Sequence, residues 1–462
     1  MGPHQHGRAR GRPIIRRVSA QPDDLPSHIG RYQVIKRLGE GATSDVFLAR
    51  DPFQGTEVAI KRMRAWAPPP DAPGSDFSGR FFSAEAALAG RLHHPNVVAI
   101  VDAVSEESAP YLVMEYVPGV TLKHFCRSDR LLPLDQIVEL GFKCAMALSY
   151  VYRQGVIHRD VKPANLLAVL DPGGQVVDVK VTDFGSALNL LADATQIHRV
   201  GSLAYMPPEQ IEGGDVDCRA DIYALGAVLY HLISGRPPFD APHQMALMHQ
   251  IYHQPPLPLV GQRGGVTDAL DAVVLRALAK SPHERYADWE AFAQALSALV
   301  ASQQVPLNRL GEVRDSERFN LLRSLEFFAE FGDVQLWEVV RRARWKRYPQ
   351  GYALFKRGQE GNTFHIIAQG EVEVFRDGRQ VATLGQGTSV GEMAYLAPNP
   401  DLRRHSTDIK VSQECTTISF TPESIGQLSP ECQHRFDRGF IRVLVRRLHA
   451  AHEALAHPRR IL

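Results

Sequence analysis

Residues 155–167, GVIHRDVKPANLL, are apolar at both ends. Between those ends His158, Arg159, Asp160, Lys162 and Asn165 fall within eight positions. Charge is costly to bury unless it is paired, so this is no ordinary core segment. Pro163 in its middle argues against a solvated helix. The stretch therefore reads as a loop that presents a carboxylate, an ammonium two residues on and an amide five residues on. Other charged groups stand in apolar settings: Lys61 ends VAIK (58–61), and Asp183 lies in VTDFGSA (181–187). Upstream, LGEGATSDVF (38–47) carries Gly39 and Gly41.

Such groups need elements to hold them, and the chain is long enough to supply several. Its 462 residues suit two to four domains at about 100–200 residues each. A hydrophobic fraction of 44% and a charged fraction of 22% are those of a globular protein. The net charge of +1 gives no bulk bias toward nucleic acid. Cys126, Cys144, Cys218, Cys415 and Cys432 form no CxxC pair, which reads as reduced thiols in a cytoplasmic protein. The longest apolar run, IYALGAVLYHLI (222–233), falls short of the roughly 20 residues a bilayer span needs. No secretory apolar region follows the N-terminal arginines.

Residues 1–27 carry Arg8, Arg10, Arg12, Arg16 and Arg17 with no acid before Asp23. They read as a flexible basic tail, a solubilising leader rather than a nucleic-acid arm. His4 and His6 on it make a poor metal site. Residues 30–65 read as strands, 66–79 as a loop, and 80–92 as a helix ended by HHPNVV. Residues 134–155 and 220–300 are mostly helical in pattern. A polar, aperiodic stretch at 301–316 reads as a linker. From 344 to 420 short alternating strands separated by glycines suggest a β-roll or barrel. The tail from 421 to about 456 is helical again.

LGEGATSDVF, VAIK, HRDVKPAN and DFG occur in the order of the protein-kinase signature set. The chain over about 30–300 thus resembles the eukaryotic-like Ser/Thr protein kinases of bacterial type. The resemblance implies an α+β chain: a bilobal kinase fold over 28–300, a linker at 301–316, and a β-roll with flanking helices over 317–456. It implies ATP and Mg²⁺ as cofactors, with Mn²⁺ as a substitute. Gly39 and Gly41 would form a tight turn over the phosphates, next to Val46, with Ser44 where the family has a third glycine. Lys61 would meet the α- and β-phosphates, paired with Glu85. Met114 would be the gatekeeper, and backbone from Glu115 to Val117 would take the adenine. Asp160 would orient the acceptor hydroxyl, Lys162 would neutralise the transferring group, and Asn165 and Asp183 would hold the metal. His158 would brace the loop. Asp221 would do the same, and Glu209 with Arg285 would form a buried pair. Ser202 matches the position that contacts the acceptor site. Arg159 would meet a phosphorylated activation loop, with Thr195 as the phosphosite.

Residues 348–396 resemble a cyclic-nucleotide-binding domain, with Gly351, Gly358, Gly361, Gly370 and Gly387 where the roll turns its corners. The resemblance covers about 318–456. By it, Gly391 and Glu392 would meet ribose hydroxyl and phosphate, and Arg404 with Ser406 and Thr407 would take the cyclic phosphate. Arg403 is the neighbouring candidate. The segment from Glu392 to Arg404 is about three residues longer than the family's. Asp408 stands where an apolar residue is usual, and His405 stands beside the phosphate position. Three readings of the roll follow: a sensor for cAMP or cGMP that tunes the kinase, a domain for another ligand, or an interaction module that localises it. For the whole chain the alternative is a kinase-fold scaffold with weak catalysis. Protein substrates, a cyclic-nucleotide effector and a homodimer through the last helices are the implied partners. Neither nucleic acid nor a membrane span is implied.

Overall fold

The computed structural model describes residues 25–41, 44–64, 82–83, 85–105, 109–184, 203–306, 314–397, 399 and 402–456. Six antiparallel strands form the first sheet: β1 (His28–Ile29), β2 (Tyr32–Glu40), β3 (Ser44–Arg50), β4 (Glu57–Met63), β5 (Ile100–Val104) and β6 (Tyr111–Glu115), ordered β1-β2-β3-β4-β6-β5. Alternation makes them strands: Phe47, Ala49, Val58 and Ile60 turn one way into a small core with Tyr111 and Val113. The opposite face of β4 carries Lys61, paired in register with Val46 on β3 and Leu112 on β6.

The expected helix over 80–92 is cut short. Helical geometry holds at 82–83 and 85–86, and from Leu88 onward the amides reach back three residues instead of four. Gly90, at φ +68°, then donates its N–H to the Ile100 carbonyl at 3.1 Å, which turns the chain away.

A three-stranded sheet of β7 (Gly119–Thr121), β8 (Leu166–Leu170) and β9 (Val176–Val181) sits beside a helical lobe. That lobe holds α1 (Leu134–Arg153), α2 (Pro208–Ile211), α3 (Cys218–Ser234), α4 (Gln244–His253), α5 (Asp268–Ala277) and α6 (Trp289–Ala301). Helix α3 starts where Asp217 accepts the Arg219 N–H at 2.8 Å and stops at Gly235 in the left-handed conformation.

Two more helices follow, α7 (Asp315–Ser324) and α8 (Asp333–Arg342). Strands β10 (Arg344–Tyr348), β11 (Ala353–Phe355), β12 (Phe364–Gln369), β13 (Val372–Arg376), β14 (Arg379–Leu384), β15 (Ser389–Val390), β16 (Asp408–Val411) and β17 (Cys415–Phe420) build two four-stranded sheets, β10-β17-β12-β15 and β11-β16-β13-β14. Tyr348, Phe355, Ile367, Val372 and Val390 fill the roll between them. Helices α9 (Glu392–Leu396), α10 (Pro422–Gly426) and α11 (Pro430–Ala456) complete it.

The stretch expected as a linker is more than a tether at its end, because Asp315 and Ser316 open α7 and Ser316 is buried. On α1, Asp135, Glu139 and Lys143 recur every four residues and are all buried. The start of α7 meets them one by one. Arg314 pairs with Asp135, Glu139 accepts the Ser316 N–H at 3.1 Å and its hydroxyl at 2.5 Å, and Lys143 bonds Asp315 at 2.8 Å. Burial pushes Glu139 above its ordinary range. Burial also opposes the Lys143 charge, but Asp178 and Asp315 override it and hold the ammonium above its ordinary value. Phe142 of α1, Phe319 of α7 and Trp337 of α8 join these charges in one apolar cluster. That cluster runs on without a break through Phe327 and Phe328 to Phe364, Phe420 and Phe436 of the roll.

Candidate active site and ligand cavity

The loop of 155–167 hangs between α1 and β8, and one buried carboxylate shapes it. Asp221, in the first turn of α3, accepts the His158 N–H at 2.7 Å and the Arg159 N–H at 2.8 Å. Two successive amides reach one carboxylate because Arg159 adopts the left-handed conformation, φ +61°. The Gln210 amide holds the Arg159 carbonyl at 2.8 Å. His158 is fully buried, with its ring nitrogen 3.0 Å from the Thr182 carbonyl and its ring 4.9 Å from Phe184. It therefore links this loop to the strand that leads to Asp183.

Asp160 is gripped from two sides. Lys162 Nζ lies 2.6 Å from its Oδ2, and the Asn165 amide donates to its carbonyl at 2.9 Å and its Oδ2 at 3.1 Å. The Asn165 nitrogen is thereby used, so the amide oxygen is the atom that could serve a metal. With Asp183 this gives an all-oxygen donor set, the kind a hard cation such as Mg²⁺ takes.

Lys61 gathers the remaining acids. Its ammonium bonds Glu85 at 2.8 and 2.9 Å and Asp183 at 2.7 Å. Burial works against its charge, and the two carboxylates raise its pKa above the ordinary lysine value. Packing opposes the Asp183 charge too, yet Lys61 overrides it and holds that carboxyl well below the usual range. Glu85 is pushed up to about 7 by burial, with Lys61 pulling against it. Asp183 itself sits at φ +66°, the second left-handed non-glycine position of the site.

Gly39 and Gly41 do not form a turn of positive φ. Gly39 lies within β2 opposite Val46, and the Gly41 N–H donates to the Ser44 carbonyl at 2.8 Å. A Cβ on Gly39 would meet open space, whereas one on Gly41 would press the Ser44 carbonyl at 3.0 Å. Met114 is buried on β6, Glu115 accepts from Lys180 at 2.9 Å, and Val117 follows in the strand connection. Arg285 is fully buried and bonds both Glu209 oxygens, at 2.7 and 2.9 Å. Thr195 and Ser202 lie outside the described residues, as does most of the basic tail.

The second site is a cavity of about 1400 Å³ under the roll. Gly391, Glu392, Arg404 and Ser406 all line it, together with Arg446 and Arg447 from α11. Gly391 takes φ +85° to start α9, and a Cβ there would lie 2.8 Å from the Phe355 ring. Glu392 is buried and its carboxylate pairs with Arg447, whose second nitrogen donates to the Ser389 carbonyl at 2.6 Å. Burial raises the Glu392 pKa and Arg447 opposes that rise. Arg404 is exposed and donates to the Gly358 carbonyl at 2.9 Å, while Arg403 reaches the Ala397 carbonyl at 3.3 Å. Ser406 is exposed and Thr407 half-buried.

His405 stacks on Phe355 at 4.0 Å and fits only because residue 361 is glycine: a Cβ there would lie 2.2 Å from its ring nitrogen. Asp408 opens β16 and accepts the Arg357 N–H at 2.8 Å, which explains a carboxylate at an otherwise apolar position. Arg447 was not among the residues that the motifs single out. Its signal is only an arginine pair near the end of an amphipathic helix.

Residues 32–297 match the protein kinase domain family, and residues 345–430 match the cyclic nucleotide-binding domain family. The chain is 39% identical over 270 residues to the serine/threonine-protein kinase PknB of Mycobacterium leprae, covering 56% of this chain and 42% of that protein. It is 36% identical over 309 residues to PknB of Mycobacterium tuberculosis, covering 65% and 47%. It is 36% identical over 263 residues to the probable serine/threonine-protein kinase PknB of Lactococcus lactis, covering 56% and 40%. The matches thus span less than half the length of each of these relatives.

Proposed function

The chain belongs to the protein kinase family, and from that premise we propose that it transfers the γ-phosphoryl group of ATP to Ser or Thr hydroxyls of proteins. The kinase unit is assigned to residues 28–300 and a regulatory unit to 317–456. The observation that carries the reading is Lys61, bonded at once to Glu85 and Asp183 at 2.7–2.9 Å. Phosphoryl transfer asks mainly for positioning and charge neutralisation, and this triad fixes the position of a largely buried ammonium. When ATP and Mg²⁺ bind, Asp183 and Asn165 would hold the metal, which neutralises phosphate charge. Glu85 keeps the ammonium aimed while Asp183 is released to that task. The Asp160 carboxylate holds the acceptor hydroxyl and its proton, and Lys162, 2.6 Å away, balances charge beside it. Thr195 is the proposed autophosphorylation site, and its phosphate is the charge that Arg159 would meet by the family resemblance.

The regulatory assignment rests on the cavity under the roll and on the buried contact between α1 and α7. A ligand changes the kinase only if its affinity differs between two states of that contact. The pairing of Glu392 with Arg447 favours a second reading, in which the roll serves as an interaction module and Glu392 stays paired within its own chain.

Purified full-length protein is incubated with ATP and Mg²⁺, with and without cAMP or cGMP, and autophosphorylation is mapped by mass spectrometry. Phosphate on Ser or Thr, lost in Asp183→Asn, is the expected result, and a rate change with either nucleotide supports the sensor. Phosphorylation that neither nucleotide alters assigns the roll to interaction. No phosphorylation overturns the kinase reading.

A further inference from the structure

The two acids on Lys61 arrive on different segments. Glu85 precedes the 93–97 loop, and Asp183 follows β9. Asn96, fully buried, stitches these segments together. Its amide donates to the Val179 carbonyl at 2.7 Å and to Asp178 at 2.8 Å. Its own carbonyl accepts the Val181 N–H at 2.8 Å, and the Val98 N–H donates to the Val181 carbonyl at 2.9 Å. His94 completes the loop, with its ring nitrogen accepting the Asn96 N–H at 3.1 Å.

The outer side of this junction is covered by α8. Arg341 donates to Asp178 Oδ2 at 2.6 Å, on the oxygen that Asn96 leaves open. Trp337, one turn earlier on the same face of α8, is fully buried with its ring nearly perpendicular to that of His94, centroids 6.5 Å apart. Lys143 adds a contact to Asp178 Oδ1 at 3.3 Å. The Glu85 segment holds little more than one helical turn among the described residues, and so short a helix is marginal without tertiary support.

We propose that Trp337 and Arg341 of α8 are positioning residues for phosphoryl transfer. They brace the Asn96–Asp178 junction, which sets where Glu85 and Asp183 stand around Lys61. This names the route by which the C-terminal unit acts on the kinase, and it rests on the kinase reading above. Movement of α8 relative to α1 loosens the junction, and the Lys61 contacts loosen with it.

The test uses full-length wild type, Arg341→Ala and Arg341→Lys, because Trp337→Ala removes a central core ring and would compromise folding. Trp337→Phe, which keeps a ring in place, is the second variant. Initial autophosphorylation rates are measured against ATP with Mg²⁺, and hydrogen exchange is read over 85–97 and 176–184. Arg341→Ala is expected to lower kcat about three- to ten-fold, in the range for mutations along a coupling route. The KM for ATP should stay within about two-fold. Exchange should rise over both segments, and Arg341→Lys should recover most of the loss. Trp337→Phe should change both readouts in the same direction but less. Unchanged kcat with unchanged exchange at 85–97 overturns the proposal, as does exchange that rises only over α8. If wild type shows no phosphorylation at all, the kinase reading fails, and the exchange pattern still decides whether α8 braces the junction.

Discussion

Glu392 and Arg447 stand 55 residues apart in the chain and form an ion pair across the cavity of the roll. Glu392 is the carboxylate that the family resemblance reserves for a ribose hydroxyl. In this chain α11 supplies its own partner for that carboxylate. A ligand that needs Glu392 must compete with Arg447, so its apparent affinity is scaled down by the fraction of molecules with the pair open.

Arg447→Gln should therefore loosen α11 and free the cavity. Hydrogen exchange over 440–450 is expected to rise, and calorimetric titration with cAMP or cGMP should show binding several-fold tighter than in wild type. Exchange identical to wild type would mean that the pair latches nothing.

Lys61 separates stability from activity. Lys61→Met leaves Glu85, a 2% exposed carboxylate, without its cation, and breaking such a pair costs about 3–5 kcal/mol. The expected result is a lower Tm and no phosphoryl transfer. Adding Glu85→Gln removes the stranded charge and should restore much of the Tm with activity still absent. A Tm equal to wild type in the single variant contradicts the buried-pair account.

Two buried histidines predict acid sensitivity. Burial pushes His94 down to about 3 and His365 down to about 4. Both stay neutral in the fold while the unfolded chain takes up protons near pH 6.5. Their contribution is complete above that pH and is lost as pH falls from 6.5 toward 4 for His365 and toward 3 for His94, by about 2 kcal/mol per histidine at pH 5. Urea midpoints at pH 7.5 and pH 5 measure it. His365→Gln should flatten the slope, and an undiminished slope would remove His365 from the account.

Gly361→Ala tests the packing around His405. The added Cβ would fall 2.2 Å from His405 Nε2, so the ring must leave its stack on Phe355. Overpacking of this kind costs about 1–3 kcal/mol. A drop in Tm is expected, relieved in part by His405→Ala in the same chain. If Gly361→Ala melts like wild type, the ring moves freely and the stack holds nothing.

The kinase chemistry was legible because phosphoryl transfer demands particular residue types at particular intervals. Asp160 and Asn165 share one motif five residues apart, whereas Lys61 and Asp183 lie 122 residues apart in separate motifs and the fold brings them together. The roll was legible from its glycines, since Gly358, Gly370 and Gly387 do take positive φ. The contact between the two units was not. Asp135, Glu139 and Lys143 look like a solvated stripe, and only the complementary Arg314, Asp315 and Ser316 reveal that it is buried. Periodicity reports which face is polar and says nothing about what covers it. The helix over 80–92 failed for a similar reason: its apolar spacing was right, but the bond from Gly90 to Ile100 outweighs local propensity.

The apolar cluster that runs from α1 through Trp337 to Phe436 also bears on how such chains can be rearranged. A sensor joined by a bare tether can be exchanged for another with little regard to the enzyme it serves. Here a replacement would have to bring its own Arg-Asp-Ser opening and a tryptophan of the right reach, or it would leave a stripe of charge and the Phe142 side of α1 without cover. Kinase unit and roll must therefore change together, each substitution at the seam answered by one on the other side.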